Sequence, residues 1–432
     1  MMLAPSAGLD EAALVKGLTE DPLTFTKSLK DQLGDFFSFK IGSAQITFVN
    51  DPLAIEEIFS DGSNYKKKRN EGEEGQYLGM MAGICAMFTP EQVNAYTDSM
   101  SHASERALRR LQDFADTGSR VDVFHEMMRL TLEIQIESLF SLDLGLFLAD
   151  HPAMDLDQVC RDLMAADRVY GFDPVYAGLS DYLPPFSTTP RSDEAKSSLL
   201  DFAGKVIESF SKNPKENTLL AYLTNNMPHE QVSQTILVLL GAHHEVAVPA
   251  ISRALQILGE NPSQKTTLTD ELSKALGGRV ATQADLPNLA YTQMFLHEVR
   301  RLYPCVWMVM RWSREERILN GFTIPKDSVV MMSQWVSHHD PSHFGNPDSF
   351  EPARWSDDNI KKIQGVPYFP FSKGIRSCAG EQFAEIQDAI ILATIAQSID
   401  FTLCPDQNLT PLARRSDAPQ EGIFCTLAHH SK

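Results

Sequence analysis

The sequence is poor in cysteine, poor in positive charge and without a long apolar run, and each shortage removes a class of protein. Six cysteines in 432 residues (Cys85, Cys160, Cys305, Cys378, Cys404, Cys425) are too few for a disulfide scaffold, and none lies in a CxxC pair or other zinc-ligand spacing. They point to a reducing, cytoplasmic setting. The 38 Lys and Arg stand against 57 Asp and Glu, a net charge of −19, which argues against broad attraction to nucleic acid or anionic membrane. The longest apolar runs, such as Ile236 to Ala242 and Ala389 to Ala393, reach half or less of the roughly 18 residues that mark a membrane span. Near the start, Asp10 and Glu11 face a single lysine, Lys16, the reverse of a basic signal region, so neither anchor nor secretion signal is expected.

What is present supports a large core: 43% of residues are apolar and 22% charged, which excludes a disordered or collagen-like chain. Length alone allows two or three domains. The Pro-, Ser- and Thr-rich stretch from Pro174 to Arg191 reads as a loop, but helical patterning resumes at Glu194, so a single domain over 1–432 is expected. The segments Phe36 to Gly42 and Ala44 to Val49 alternate as a hairpin with its turn near Gly42-Ser43. Helical spacing covers Asp51 to Phe59, Pro90 to Phe114, Val123 to Phe140, Pro228 to Leu258, Ser263 to Leu276, Ala290 to Leu302 and Gln382 to Ser398. Short strands fall between Arg311 and Val330. The fold class is therefore mainly α with small β-sheets, β-rich at about 30–60 and helical for most of the remainder.

One cysteine differs from the other five. In Phe371-Ser-Lys-Gly374-Ile-Arg376-Ser-Cys378-Ala-Gly380, glycines flank Cys378 where backbone must bend or approach a flat partner. An arginine precedes it by two residues and a helix start follows, both favouring a thiolate and a nearby anion. This stretch resembles the haem-binding signature of the cytochrome P-450 family, Phe-x-x-Gly-x-(Arg/His)-x-Cys-x-Gly, at every fixed position. The resemblance implies that Cys378 is the axial thiolate on haem iron, that Arg376 meets a propionate, that Phe371 packs near the sulfur, and that Gly374 and Gly380 allow the bulge and the close helix approach. It further implies haem b, placed between the long central helix and the cysteine loop.

Two more matches follow the family's order. Glu298 and Arg301, three apart on one helix face and followed by Leu-Tyr-Pro304, resemble its Glu-x-x-Arg pair, and Arg354 in Phe350-Glu-Pro-Ala-Arg-Trp355 resembles the downstream arginine that completes a structural triad. Arg311 stands where the family supplies a propionate-binding arginine. His338-His339-Asp340-Pro341 resembles its His-Arg-Asp-Pro turn, and His338 is taken as a candidate haem contact.

The central helix departs from the family. Leu240-Gly241-Ala242-His243-His244-Glu245-Val246 stands where (Ala/Gly)-Gly-x-(Asp/Glu)-Thr-(Thr/Ser) is usual. Gly241 and Ala242 keep the small residues, His244 replaces the acid and Glu245 the threonine, so His244 and Glu245 are the expected proton relay. Pro249 removes the donor that would serve the Glu245 carbonyl, and a kink is expected there. His243-His244 also resembles the His-His-Thr run of bacterial sterol 14α-demethylases. Counting back from Phe88-Thr89, Tyr77 and Met81 occupy the family's Trp-x-x-x-Arg positions, making Tyr77 a candidate propionate donor. The substrate pocket is expected to include Gly241, Val306, Trp307 and Val309, with Trp307 and Met308 pointing to an apolar, aromatic or terpenoid-sized ligand.

The resemblance thus implies a monooxygenase that inserts an oxygen atom from O2 into an apolar small molecule. No GxGxxG or four-cysteine cluster accompanies the haem segment, so electrons are expected from a separate acidic ferredoxin or flavodoxin. Lys361, Lys362, Lys373 and Arg376 form its expected docking patch. Phenol coupling, peroxygenation and isomerisation are alternatives on the same cofactor, because position 245 lacks the threonine. A non-catalytic haem sensor is an alternative of another class; a metal hydrolase is disfavoured, since His243-His244-Glu245 lacks HExxH spacing.

Overall fold

The computed structural model describes residues 2–67, 72, 81–170, 189–360, 365, 367–413, 417–418 and 422–430. Tyr77, Lys68, Arg69, Lys361, Lys362 and the segment 171–188 therefore lie outside the described residues.

A five-stranded sheet holds the N-terminal region. Its strands are β1 (Phe36–Ile41), β2 (Ala44–Val49), β3 (Tyr65–Lys66), β4 (Val309–Ser313) and β5 (Val329–Met332), in spatial order β1-β2-β5-β4-β3. The β1–β2 hairpin pairs Phe37 with Phe48 across the turn read from the sequence. The parallel β2–β5 pairing and antiparallel β4–β5 pairing then bring residues near 310 and 330 beside the N-terminal hairpin. One sheet face buries Phe37, Phe39, Ile46, Phe48, Trp307, Met308 and Trp312 with Leu14, Leu18, Leu23 and Leu29 of two N-terminal helices. Those helices, Glu11–Glu20 and Pro22–Leu33, were not evident from periodicity. Each starts on an aspartate, Asp10 accepting from Ala13 N at 2.8 Å and Asp21 from Thr24 N at 3.2 Å.

The larger core is helical, built from Pro90–Thr117, Val123–Glu137, Pro190–Lys212, the central helix His229–Glu260 and the last helix Glu381–Ala396. Pro90–Thr117 runs three residues beyond the expected Phe114 and ends on Gly118 in the left-handed region (φ 62°). The central helix runs continuously through Pro249. Among the described residues it is the one helix long and apolar enough to cross a bilayer, and half of its most apolar stretch is buried inside the protein. Its second half, from Ala247 to Leu258, is buried all round. In the first half Gln231, Gln234, Val238 and Ala242 remain exposed, a stripe at three- and four-residue spacing on one face.

The helix Ala290–Leu302 lacks a side-chain cap of its own; Glu271 caps it instead, accepting from Tyr291 N (2.6 Å) and Thr292 N (2.9 Å). A three-stranded sheet of Arg120–Asp122, Ile399–Leu403 and Phe424–His429 closes the far end. Pairings such as that of Thr426 with Arg120 span more than three hundred positions in the sequence, which local periodicity does not report.

Candidate active site

The cysteine loop is pinned from two sides. Cys378 N donates to Phe371 O at 2.9 Å, and Ser377 N to Gly374 O at 3.0 Å, closing the bulge. Gly374 has φ +71°, and a Cβ there would sit 3.0 Å from the Phe59 carbonyl carbon and closer still to its oxygen. Only glycine meets both demands. Gly380 is different: its φ is −87°, and a Cβ would make ordinary contacts, 3.8 Å from Phe88 and 3.9 Å from the Cys378 sulfur. Its role in close helix approach is therefore weaker than the motif implied.

Arg376 is buried and donates from Nη1 to Gly62 O at 3.1 Å. Gly62 makes room for it, since a Cβ there would lie 2.8 Å from that nitrogen. Arg311, on β4, is likewise buried, donating to Met310 O (2.8 Å) and Ser372 Oγ (3.1 Å) of the cysteine loop. Cys378 itself is exposed. The protein crowded around its sulfur nevertheless pushes the thiol above its usual range, outweighing the Gly380 N–H and the Lys67 charge that pull it down. The Gly380 N–H and the Lys67 charge favour a thiolate but do not outweigh burial, and a bound metal would supply the remaining bias.

Glu298, Arg301 and Arg354 come together. Arg301 forks onto Glu298 (Nη2–Oε1 2.8 Å, Nε–Oε2 2.9 Å), and Arg354 Nε donates to Oε1 at 3.1 Å. Trp355 Nε1 completes the carboxylate at 2.9 Å. Arg301 also donates to His338 O (2.9 Å), Pro347 O (2.7 Å) and Ser349 O (3.1 Å), tying the loops behind the cysteine segment to one guanidinium.

His338 is placed within this scaffold, fully buried, its Nε2 3.3 Å from the Phe369 amide and its ring against Tyr368 and Phe369. Burial holds it neutral, well below the usual histidine range. Its position is that of a strut for the segment leading to Phe371, which differs from the haem contact expected.

On the central helix the small and charged residues separate by face. Ala242 is exposed, Gly241, Glu245 and Val246 are half-buried, and His244 is buried. An ideal Cβ at Gly241 would lie 3.4 Å from Glu245 Oε1, so the carboxylate folds back over the glycine one turn before it. His243 turns to the last helix, with Nε2 3.0 Å from Gln387 Oε1 and its ring against Phe383. His244 turns to Thr131 (3.4 Å). Burial lowers His243 to about 4 and His244 to about 3. Consecutive helical residues point about 100° apart, so His244 does not join Glu245 on the open face, and the expected pairing of the two as a relay is not formed.

Of the expected pocket residues, Val306 and Val309 are half-buried, whereas Trp307 and Met308 are buried in the core beneath the sheet. Trp307 therefore carries no information about a ligand. Sequence reasoning also missed Arg300 and Asp388, a buried pair at 2.8 Å linking the Ala290–Leu302 helix to the last helix. The available signal was Gln387-Asp388 interrupting an apolar helix.

The arrangement provides one accessible thiol on a pinned loop, two buried guanidinium groups suited to a pair of carboxylates, and a helix face left open where that helix touches the last helix. These features fit haem. The cytochrome P450 family model matches residues 12–421, and the chain belongs to the cytochrome P450 family. It is an oxidoreductase of the monooxygenase type. It is 30% identical over 434 residues to cyclooctatin synthase of Streptomyces melanosporofaciens, covering 95% of this chain and 92% of the relative. It is 26% identical over 402 residues to cyclooctat-9-en-7-ol 5-monooxygenase of the same organism, covering 87% and 84%. Its fold matches the crystal structure of a cytochrome P450 (CYP102L1) with a TM-score of 0.82 at 20% identity, over 99% of both chains.

Proposed function

We propose that the whole chain forms one cytoplasmic catalytic unit that inserts an oxygen atom from O2 into an apolar, terpenoid-sized small molecule in specialised metabolism. The observation that carries this reading is the accessible Cys378 on a loop bonded to buried Arg311 and containing buried Arg376, together with the exposed Val238 and Ala242 on a helix otherwise committed to the core. The names of the two Streptomyces relatives support the substrate class, one being a monooxygenase of an alkenol.

Cys378 would ligate haem b, and Arg311 and Arg376 would meet its propionates; when bound, the group supplies the oxygen-transfer chemistry. Phe371 and Gly374 hold the cysteine in register. Val238 and Ala242 exclude water from the open face and orient an apolar substrate, with Gly241 leaving space for the Glu245 carboxylate. Glu245 holds a proton at Oε1 or Oε2 at the polar edge of that face. A separate ferredoxin or flavodoxin would deliver electrons.

A second reading, atypical haem-thiolate chemistry driven by peroxide, draws on the burial of His244 away from Glu245. The test is a reduced, carbon-monoxide-bound absorption spectrum, followed by product analysis with labelled dioxygen and a donor, then with peroxide alone. A band near 450 nm and label in the product support monooxygenation. No such band overturns both readings, and product formed from peroxide alone selects the second.

A further inference from the structure

Arg300 and Arg301 are sequence neighbours with different destinations. Arg301 enters the Glu298 triad, while Arg300 turns about 100° around the helix to meet Asp388 of the last helix, Nη2 to Oδ2 at 2.8 Å. Both side chains are about nineteen-twentieths buried. On its other side the Arg300 guanidinium lies over the ring of Phe371, 5.5 Å from the centroid. Phe371 is the residue whose carbonyl accepts from the Cys378 amide. A cation thus stands directly behind the aromatic ring of the cysteine loop, with its counter-ion on the far helix.

As a stabilising device the pair is poor. Arg300 Nη1 and Asp388 Oδ1 are buried without a hydrogen-bond partner among the described residues, and an apolar pair of similar volume commonly serves a core as well or better. What the pair supplies is a charge of fixed position. The other ionisable groups facing Arg300 are Glu385 of the last helix, Tyr368, and His297 on its own helix. Burial and Arg300 itself hold His297 neutral, at about 4.

We infer that Arg300 is a positioning and electrostatic residue that raises the reduction potential of the bound haem by holding a cation against Phe371, with Asp388 as the counterweight that limits the rise. Reduction adds an electron beside the thiolate, so a nearby cation favours the ferrous state and a nearby anion opposes it. The inference rests on the haem-thiolate reading.

The test is spectroelectrochemical titration of the purified holoprotein and its Arg300→Leu and Asp388→Asn variants. Arg300→Leu is expected to lower the ferrous-to-ferric ratio at fixed potential about tenfold, which is about 59 mV for one electron. As a general scale, one charge in protein of effective dielectric about 20 has an effect of that order at separations of about 10 Å. Asp388→Asn is expected to move the ratio the other way, and Arg300→Lys, which keeps the charge, to stay within about threefold of the native protein. If Arg300→Leu does not fold, Arg300→Gln carries the same comparison. Shifts of one sign in both variants, or none, overturn the inference and leave a structural pair. A native protein without a band near 450 nm overturns the haem-thiolate reading instead.

Discussion

Trp355 donates its indole N–H to Glu298 Oε2 at 2.9 Å, so the carboxylate that joins Arg301 and Arg354 is met from three side chains on two chain segments. Both Glu298 and Arg301 are fully buried. Replacing Glu298 by Ala strands two guanidinium groups and is expected to cost about 3–5 kcal/mol. Trp355→Phe removes one donor to a buried carboxylate and is expected to cost about 1–3 kcal/mol. Urea unfolding of the two variants checks the ranking; equal losses would show that Trp355, and not the ion pairs, holds the triad.

The two glycines of the cysteine loop should respond differently to the same substitution. Gly374→Ala meets both a positive φ and the Phe59 carbonyl, and is expected to lose haem binding and most soluble protein. Gly380→Ala meets ordinary contacts and should fold and bind haem. Haem content of the purified variants decides; parity between them would contradict the geometry.

Glu245 folds over Gly241 beside the exposed Ala242, while His244 faces Thr131. If Glu245 holds the proton used in turnover, Glu245→Gln should release electrons as peroxide, lowering product per electron consumed about ten- to a hundredfold. His244→Gln should leave that ratio near the native value. Coupling that is unchanged in Glu245→Gln would make the carboxylate structural.

If an acidic electron donor docks on the face of the cysteine loop, Arg376 and Lys373 are the two proposed contacts that lie among the described residues. Arg376 is buried against Gly62, and Lys373 lies 3.6 Å from Glu56 at the surface. Lys373→Glu should still slow reduction by the donor severalfold, with the difference fading as salt screens it over about 10 Å at 0.1 M. Stopped-flow reduction across salt concentrations measures this, and rates independent of both charge and salt would remove Lys373 from the interface.

Much of the site was legible because it is local. The Gly374–Gly380 spacing, the Glu298–Arg301 interval and the Ala290–Leu302 helix are short-range patterns that survive folding unchanged. The misreadings concern direction. Trp307 follows Pro304 and looked available to a ligand, but the β4–β5 pairing commits its neighbours to the sheet and drives it into the core. His338 and His244 were placed by resemblance to the family's motifs, yet each faces protein, and a histidine in an apolar surround stays neutral whatever its motif. Arg300 and Asp388 stand 88 positions apart, and nothing in either segment names the other.

The buried histidines set how the protein responds to acid. Burial lowers His243, His297 and His339 to about 4 and His244 to about 3, whereas in the unfolded chain each titrates near 6.5. Between those values the unfolded state binds more protons, so stability is complete above about pH 6.5 and falls as pH drops toward 4, by about 1.4 kcal/mol per unit for each histidine. Asp122, Glu381 and Asp388, raised by burial, act in the opposite sense, since folding then favours their protonated forms. Those four histidines and His338, which burial also holds well below the usual range, outweigh them above pH 5, where most exposed carboxylates remain ionised. The urea midpoint should therefore fall between pH 7 and pH 5, and His244→Leu should flatten that slope by one proton. A midpoint that holds steady or rises over this interval would mean that the histidines remain protonated inside the fold.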